Sequence, residues 1–228
     1  MLKCTFLIPI DHRGIQGELM PQYLQLQSWC EKNNCAILTC HGLFLNFARN
    51  YLATGGKGMI DTRPPDSEWL VWIDSDIRFT IEQMEDLLNV PSEHKFVTGW
   101  YRSNQSDQAM VGYWEEEFFR KNHHMPFASV QWIEDTAKEN PERLLEVDWC
   151  GFGFTKVHRS IFEQMEYPYF PLNHTAIEGC DDGNGGKFRI QDLTFEDVSF
   201  CVNCYEKTKI KPLVVPKLRV GHLKSFLV

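Results

Sequence analysis

Short apolar runs alternate with segments of helical periodicity as far as residue 100 of the chain. Unbroken apolar runs bounded by polar loops predict strands that are covered on both faces. They occupy residues 5–10, 35–39, 69–73 and 95–98. Helical spacing between the runs predicts helices, one of which begins with a capping box formed by Thr80 and Gln83. This alternation favours an α/β fold in which a mostly parallel central sheet has helices on both faces.

The helix predicted after the second apolar run has one apolar side, and two polar residues lie outside it. Its apolar side is formed by Phe44, Phe47, Ala48 and Tyr51. Arg49 and Asn50 fall off that side, so the pattern predicts that both point away from the packed face.

The second half of the chain has a less regular pattern. No element is assigned to residues 101–140, and residues 179–186, rich in Gly, Asp and Asn, are expected to form a mobile loop. A helix is predicted to begin near Thr194, and a last strand region covers residues 213–220. The length is typical of a single domain that spans residues 1–228.

Composition narrows the class of protein. The net charge of −8, from 31 acidic and 23 basic residues without a basic cluster, argues against nucleic acid as a partner. A membrane span needs about 18 apolar residues in a row, and the sequence contains no stretch of that length. The first residues also lack the features of a signal peptide. We therefore expect a soluble, cytoplasmic protein. Its eight cysteines lie mostly in apolar surroundings, which predicts free thiols.

Two carboxylates one residue apart follow directly after the apolar run at residues 69–73, in Asp74-Ser75-Asp76. Like charges this close raise each other's pKa unless a cation or hydrogen-bond donors lie between them. Mg²⁺ and Mn²⁺ prefer oxygen ligands and commonly join carboxylates to substrate phosphates. The triplet therefore favours a divalent-cation site, although DxD triplets also occur in surface turns.

Two later segments carry further candidate groups. Glu196 and Asp197 open the helix predicted near Thr194, where acidic residues also complement the helix dipole. His222 follows the last strand region, and a neutral imidazole beside carboxylates can complete a divalent-metal site. Each of these features, taken alone, also has an ordinary structural explanation.

The order of these segments resembles that of the GT-A glycosyltransferases, especially the compact single-domain enzymes of bacteria, phages and large viruses. The resemblance covers most of the chain, except residues 101–140, and rests on the strand ending at Pro9, Ala48-Arg49-Asn50, Trp72-Ile73-Asp74-Ser75-Asp76, Gly151-Phe152-Gly153-Phe154, Phe195-Glu196-Asp197 and Gly221-His222. It implies a GT-A type, Rossmann-like fold. The nucleotide-sugar half would cover residues 1–100, and the acceptor-side half residues 101–228.

The resemblance also implies an activity, the transfer of a sugar from a nucleoside-diphosphate sugar, by default a UDP-sugar, to a hydroxyl of a saccharide or glycan. Mn²⁺ or Mg²⁺ would be bound by Asp74, Asp76 and His222. Asp197 would be the catalytic base of an inverting reaction, while a retaining reaction stays open. The implied donor contacts are Pro9, Asp11, Arg49, Asn50, Asp74, Ser75, Asp76, Gly151 and Gly153. An enzyme from a virus would act in the host cytoplasm.

Several aromatic residues are candidates for contact with the acceptor, and two other functions stay open. Candidate acceptor contacts are Trp100, Tyr101, Trp149 and Glu196, with Trp114 as a further aromatic residue that could stack on a sugar. Aromatic side chains at such positions also occur in cores. A sugar nucleotidyltransferase stays open, although residues 11–14 lack the glycine-rich loop with Arg and Lys typical of those enzymes. A non-catalytic carbohydrate-binding protein with the same fold is the other alternative.

Overall fold

The computed structural model describes residues 2–12, 14–103 and 107–223. The strands are β1 (Leu2–Ile10), β2 (Ala36–His41), β3 (Ser67–Ile73), β4 (Ile77–Arg78), β5 (Phe96–Trp100), β6 (Gln108–Gly112), β7 (Phe127–Ser129), β8 (Leu145–Glu146), β9 (Trp149–Cys150), β10 (Phe154–His158), β11 (His174–Asp181), β12 (Lys187–Leu193), β13 (Leu213–Arg219) and β14 (Gly221–His222). The helices are α1 (Met20–Lys32), α2 (Leu45–Ala53), α3 (Ile81–Asn89), α4 (Glu116–Asn122), α5 (Val130–Glu139), α6 (Arg159–Phe162) and α7 (Glu196–Thr208). The capping box predicted for α3 is present.

Seven strands form the central sheet in the order β2-β1-β3-β10-β5-β13-β8. β1 pairs in parallel with β2 and β3, and β5 pairs in parallel with β13. β10 lies antiparallel between β3 and β5, so all of the parallel strands point in one direction. Their carboxyl ends therefore share one edge of the sheet, and β10 begins at that same edge.

The two faces of the sheet are covered by different helices, as the unbroken apolar runs predict. On β3, Leu70 and Trp72 belong to one core, which includes buried residues of α2, α5 and α7. The alternate residues Trp69, Val71 and Ile73 belong to the other core, with α1 and α3. The predicted α/β fold, with a mostly parallel sheet between two layers of helices, is confirmed.

The predicted sidedness of α2 is wrong. Phe44, just before the helix, is 81% exposed and Phe47 is 60% exposed, whereas Arg49 and Asn50 are buried at 1% and 6%. The pattern misleads because both polar side chains find partners inside the protein. Asn50 exchanges hydrogen bonds with the backbone of Phe170, accepting from its N–H and donating to its C=O, each at 2.9 Å.

The second half of the chain adds two small sheets to the central one. Residues 101–140, left without assignment, contain β6, α4, β7 and α5, and β6 pairs with both β7 and β9. The mobile loop expected at residues 179–186 is wrong in part. β11 extends to Asp181 and pairs with β12, which leaves a short turn in which Gly183 and Gly185 adopt positive φ.

Two other expectations concern the cysteines and the membrane. All eight cysteines are free, as predicted, and the thiols of Cys4 in β1 and Cys35 just before β2 lie 3.2 Å apart. Within the described residues, none of the helices has both the length and the apolar character that a membrane span requires.

Candidate active site

The candidate site is built at the edge of the sheet where the parallel strands end. Asp74-Ser75-Asp76 follows β3, and the Asp74 N–H donates to the carbonyl of Gly153, just before β10, at 3.0 Å. The Ile77 N–H closes the turn by donating to the Asp74 carbonyl at 3.0 Å. Because β10 is antiparallel, its beginning holds the carboxylate turn in place from the neighbouring strand.

Asp76 and His222 are brought together by a short ladder. β14 pairs antiparallel with β4, with His222 opposite Ile77, so the end of the described chain lies against the carboxylate turn. Asp76 Oδ2 and His222 Nε2 are 3.3 Å apart, and the Leu223 N–H donates to the Asp76 carbonyl. His222 Nδ1 is buried without a hydrogen-bond partner among the described residues.

Asp74 has a different partner, the buried Arg49 of α2. Arg49 Nη2 lies 3.0 Å from Asp74 Oδ2, and Arg49 Nε lies 3.2 Å from Glu196 Oε1 at the start of α7. Aromatic rings within 6.0 Å of the guanidinium carbon belong to Trp72, Phe152 and Phe170. One arginine thus holds the carboxylate turn and the acidic helix start together.

Electrostatics keep this arginine charged. Burial lowers the pKa of Arg49, but the carboxylates of Asp74 and Glu196 outweigh burial and raise it above its usual value. Burial raises the pKa of Asp74, which Arg49 opposes and Asp76 reinforces. Arg49 Nη1 and Asp74 Oδ1 are buried and lack partners among the described residues, a condition that a polar ligand would relieve.

The three predicted metal ligands do not form one preformed cluster, and their role in binding a metal stays a prediction. Among the described residues, no three His, Cys, Asp or Glu side chains gather so that they could hold an ion. Asp74 is turned to Arg49, and only Asp76 and His222 meet. A carboxylate and an imidazole still fit Mn²⁺ or Mg²⁺, which take few protein ligands and complete their shell with phosphate oxygens and water.

Asp197 follows Glu196 in the first turn of α7 and is half-buried. Burial and the neighbouring Glu196 raise the pKa of Asp197 to about 7, against the opposing charge of Arg49. Its Oδ1 accepts a hydrogen bond from the Val198 N–H at 2.7 Å. A carboxylate with a pKa near neutrality is suited to accept a proton from a hydroxyl.

Asp197 and Glu196 line a cleft of about 700 Å³. The cleft lies between the β6-β7-β9 sheet, α4, the β11-β12 hairpin and the beginning of α7. Trp149 and Trp114, two of the aromatic residues considered for sugar stacking, contribute to its wall. The cleft places the carboxylate of Asp197 where a bound molecule would meet it.

Four residues expected to contact a ligand are buried and packed against other parts of the protein. Pro9 is buried within β1, so only Asp11, just beyond the strand, is at the edge. Asn50 is occupied by the Phe170 backbone, as described above. Trp100 is 1% exposed and donates its indole N–H to the Pro216 carbonyl. Tyr101 is buried, and its ring packs edge-on against that of His222, with ring centroids 4.9 Å apart.

Gly151 and Gly153 lie at the site, but the structure gives a protein-internal reason for them. A Cβ added at either would lie 2.4 Å or 2.7 Å from the Tyr101 hydroxyl, which also accepts a hydrogen bond from the Gly153 N–H. Ser75 is buried within the carboxylate turn. Contact of these three residues with a sugar donor stays a prediction.

Sequence reasoning missed the residues at the mouth of the cleft. Phe195 is 76% exposed, and Leu45 and Leu193 are also exposed there. The position of Phe195 directly before two acidic residues could have indicated that it lies at the site. No comparable signal marked Leu45 or Leu193, because their grouping depends on how α2 and the β11-β12 hairpin pack.

Replacing Arg49 by methionine tests whether this arginine holds the site together. Arg49→Met leaves two carboxylates without their counter-charge, so we expect a loss of about 3 kcal/mol in the free energy of unfolding, measured by urea titration. Arg63→Met is the matched control, since Arg63 is exposed and pairs with Asp61 at the surface. An unchanged urea midpoint for Arg49→Met would contradict the structural role.

Comparison with known proteins finds structural likeness only. No family model matches the chain, and no curated protein matches its sequence significantly. The crystal structure of A197 from STIV aligns over 98% of this chain and 87% of that chain, at 16% identity and TM-score 0.54. The structure of GalNAc-T7 with UDP, GalNAc and Mn²⁺ aligns over 100% of this chain but 45% of that chain, at 12% identity and TM-score 0.54.

A third structure is that of a glycosyltransferase involved in glycosylation of the major capsid of PBCV-1. It aligns over 98% of this chain and 96% of that chain, at 13% identity and TM-score 0.38. At identities this low the likeness is one of fold. The chain has the GT-A-like α/β fold predicted from its motifs.

Proposed function

We propose that the protein is a metal-dependent glycosyltransferase that moves a sugar from a nucleoside-diphosphate sugar to an acceptor hydroxyl. The observation that carries the proposal is the Arg49 bridge. It joins the carboxylate turn after β3 to the helix start that bears Asp197. In this proposal, the bridge holds the donor site and the proton acceptor at one edge of the sheet.

The donor side is proposed to consist of Asp76, His222, Asp74 and Arg49. Asp76 and His222 would hold Mn²⁺ or Mg²⁺, which supplies positive charge to a departing diphosphate. Asp74 Oδ1 and Arg49 Nη1, both buried without partners, would bind polar groups of the donor. Support for a uridine donor with Mn²⁺ comes from the GalNAc-T7 structure, which contains UDP and Mn²⁺.

The acceptor side is proposed to be the cleft lined by Asp197. The acceptor oxygen forms a bond to the anomeric carbon while the bond from that carbon to the diphosphate oxygen breaks, and its electron pair leaves with the nucleoside diphosphate. Asp197 takes the hydroxyl proton, which its pKa of about 7 permits near neutral pH. Attack from the face opposite the leaving group would invert the anomeric centre.

Ligand-induced stabilisation tests the donor site directly. A ligand that binds only the folded protein, at about 100 times its Kd, raises the melting temperature of a domain of this size by about 5–10 °C. We expect this rise with UDP and Mn²⁺ together and not with UDP and EDTA. No rise with any nucleoside diphosphate and Mn²⁺ would overturn the proposal.

Product analysis separates the rival functions. Incubation with UDP-sugars and Mn²⁺ should release UDP, whereas a sugar nucleotidyltransferase forms pyrophosphate. A carbohydrate-binding protein without activity would bind sugars but release neither product. Detection of pyrophosphate alone would replace the glycosyltransferase proposal by the first rival.

A further inference from the structure

The cleft beside Asp197 has a largely apolar wall. Its apolar residues come from separate elements, so the wall does not depend on a single helix or strand. They include Met110, Trp114, Phe127, Trp149, Ile177 and Ile190. Hydroxyl groups of a free sugar that are removed from water need hydrogen-bond partners, and this wall provides few. Its chemistry favours a ligand with apolar surface of its own.

Besides two histidines and the hydroxyls of Ser103, Thr175 and Thr194, the polar side chains of the lining are acidic. Asp192, Glu196 and Asp197 contribute carboxylates, and the described side chains that line the cleft include no lysine or arginine. Of the two histidines, His123 is engaged with the hairpin, with its Nε2 2.7 Å from the Asp181 carbonyl oxygen. A phosphate or carboxylate group would lose its hydration here and meet like charge, so the cleft disfavours an anionic ligand.

Apolar surface continues from the cleft to solvent. Leu45, Leu193 and Phe195 form its mouth and are 44%, 57% and 76% exposed. Exposed apolar side chains grouped around a concave site mark surfaces that bind a ligand. The mouth therefore extends the apolar wall in the direction from which a ligand would enter.

We propose that the acceptor is an uncharged compound with an aryl or alkyl group beside its reacting hydroxyl, rather than an unmodified or phosphorylated sugar. This inference rests on the proposed function. The apolar group lies along the wall of the cleft, and the hydroxyl lies at Asp197. That oxygen bonds to the anomeric carbon of the donor, its proton passes to Asp197, and the nucleoside diphosphate leaves with the bonding electron pair.

An acceptor series tests the inference, with donor hydrolysis measured first in the absence of acceptor. With the UDP-sugar that is hydrolysed, transfer is compared for free glucose, glucose 6-phosphate, phenyl β-glucoside and octyl β-glucoside. We expect a kcat/KM at least tenfold higher for the phenyl or octyl compound than for glucose, and no transfer to glucose 6-phosphate. Equal or faster transfer to glucose or its phosphate would overturn the inference.

Two phenylalanine variants connect the preference to the cleft. Phe195→Ala should raise KM for the preferred apolar acceptor about tenfold and leave stabilisation by UDP and Mn²⁺ unchanged. Phe44→Ala removes an equally exposed ring, outside the cleft lining, and should change neither quantity. An unchanged KM for Phe195→Ala would refute the placement of the acceptor.

The outcomes separate the two proposals. Donor binding and hydrolysis without the acceptor preference overturn this inference alone. Absence of both donor binding and hydrolysis overturns the proposed function, and this inference falls with it.

Discussion

Asp197→Asn is expected to lower kcat by about 10²–10⁴-fold while leaving donor binding nearly unchanged. Asparagine keeps the shape of the side chain, and its oxygen can still accept the Val198 N–H. It cannot take a proton from a hydroxyl at neutral pH. Turnover should be measured with saturating donor, and binding by the melting-temperature rise with UDP and Mn²⁺.

Asp135→Asn is a matched control, because this aspartate has a half-exposed side chain on α5 and bonds to its neighbours Gln131 and Lys138. It should have wild-type turnover. Undiminished turnover of Asp197→Asn would eliminate this residue as the base.

The pH profile gives a second test of Asp197. Its pKa is raised to about 7, so the carboxyl is protonated and inactive as a base at lower pH. We expect kcat/KM to fall tenfold for each pH unit below about 7 and to level off above it. The residual rate of Asp197→Asn should lose this dependence, and a profile shared by both proteins would assign the titration to another group.

Asp76→Ala is expected to abolish the stabilisation by UDP that depends on Mn²⁺ and to lower kcat/KM by about 100-fold or more. The substitution leaves His222 as the single side chain of the pair, and one imidazole binds a hard cation poorly. Calorimetric titration of UDP in the presence of Mn²⁺ measures the first effect. An unchanged affinity would refute a role for Asp76 in metal-dependent binding.

The control for this substitution is Asp66→Ala. Asp66 has an 80% exposed side chain and pairs with Arg159 far from the carboxylate turn in the fold. It should bind UDP and Mn²⁺ as the unaltered protein does. A loss of binding in both variants would point to general destabilisation, which melting curves without ligand would reveal.

The fold followed from the sequence because its signals are local. An apolar run such as residues 69–73 needs cover on both faces, and that requirement already implies a sheet between helices. The segments after β3 and β13 could also be placed at one edge, since parallel strands end together. Asp76 and His222 lie close together for this reason.

The partners of the buried polar side chains could not be predicted from the sequence, because they depend on contacts between elements that are distant along the chain. Arg49 was predicted to face away from the core of the protein, yet it is buried between Asp74 and Glu196, which no periodicity in α2 indicates. Tyr101 fills the space beside Gly151 and Gly153 that a sugar was expected to approach. The cleft depends on β6, β7 and the β11-β12 hairpin, whose pairing lies in segments without a regular apolar pattern.

The ladder of β4 with β14 has a consequence for the order of folding. Its two sides are separated by most of the chain, and β14 directly follows β13, which pairs with β5 in the central sheet. Closing so large a loop is entropically unfavourable until the strands between are fixed. We therefore expect the contact between Asp76 and His222 to form late in folding, after the central sheet.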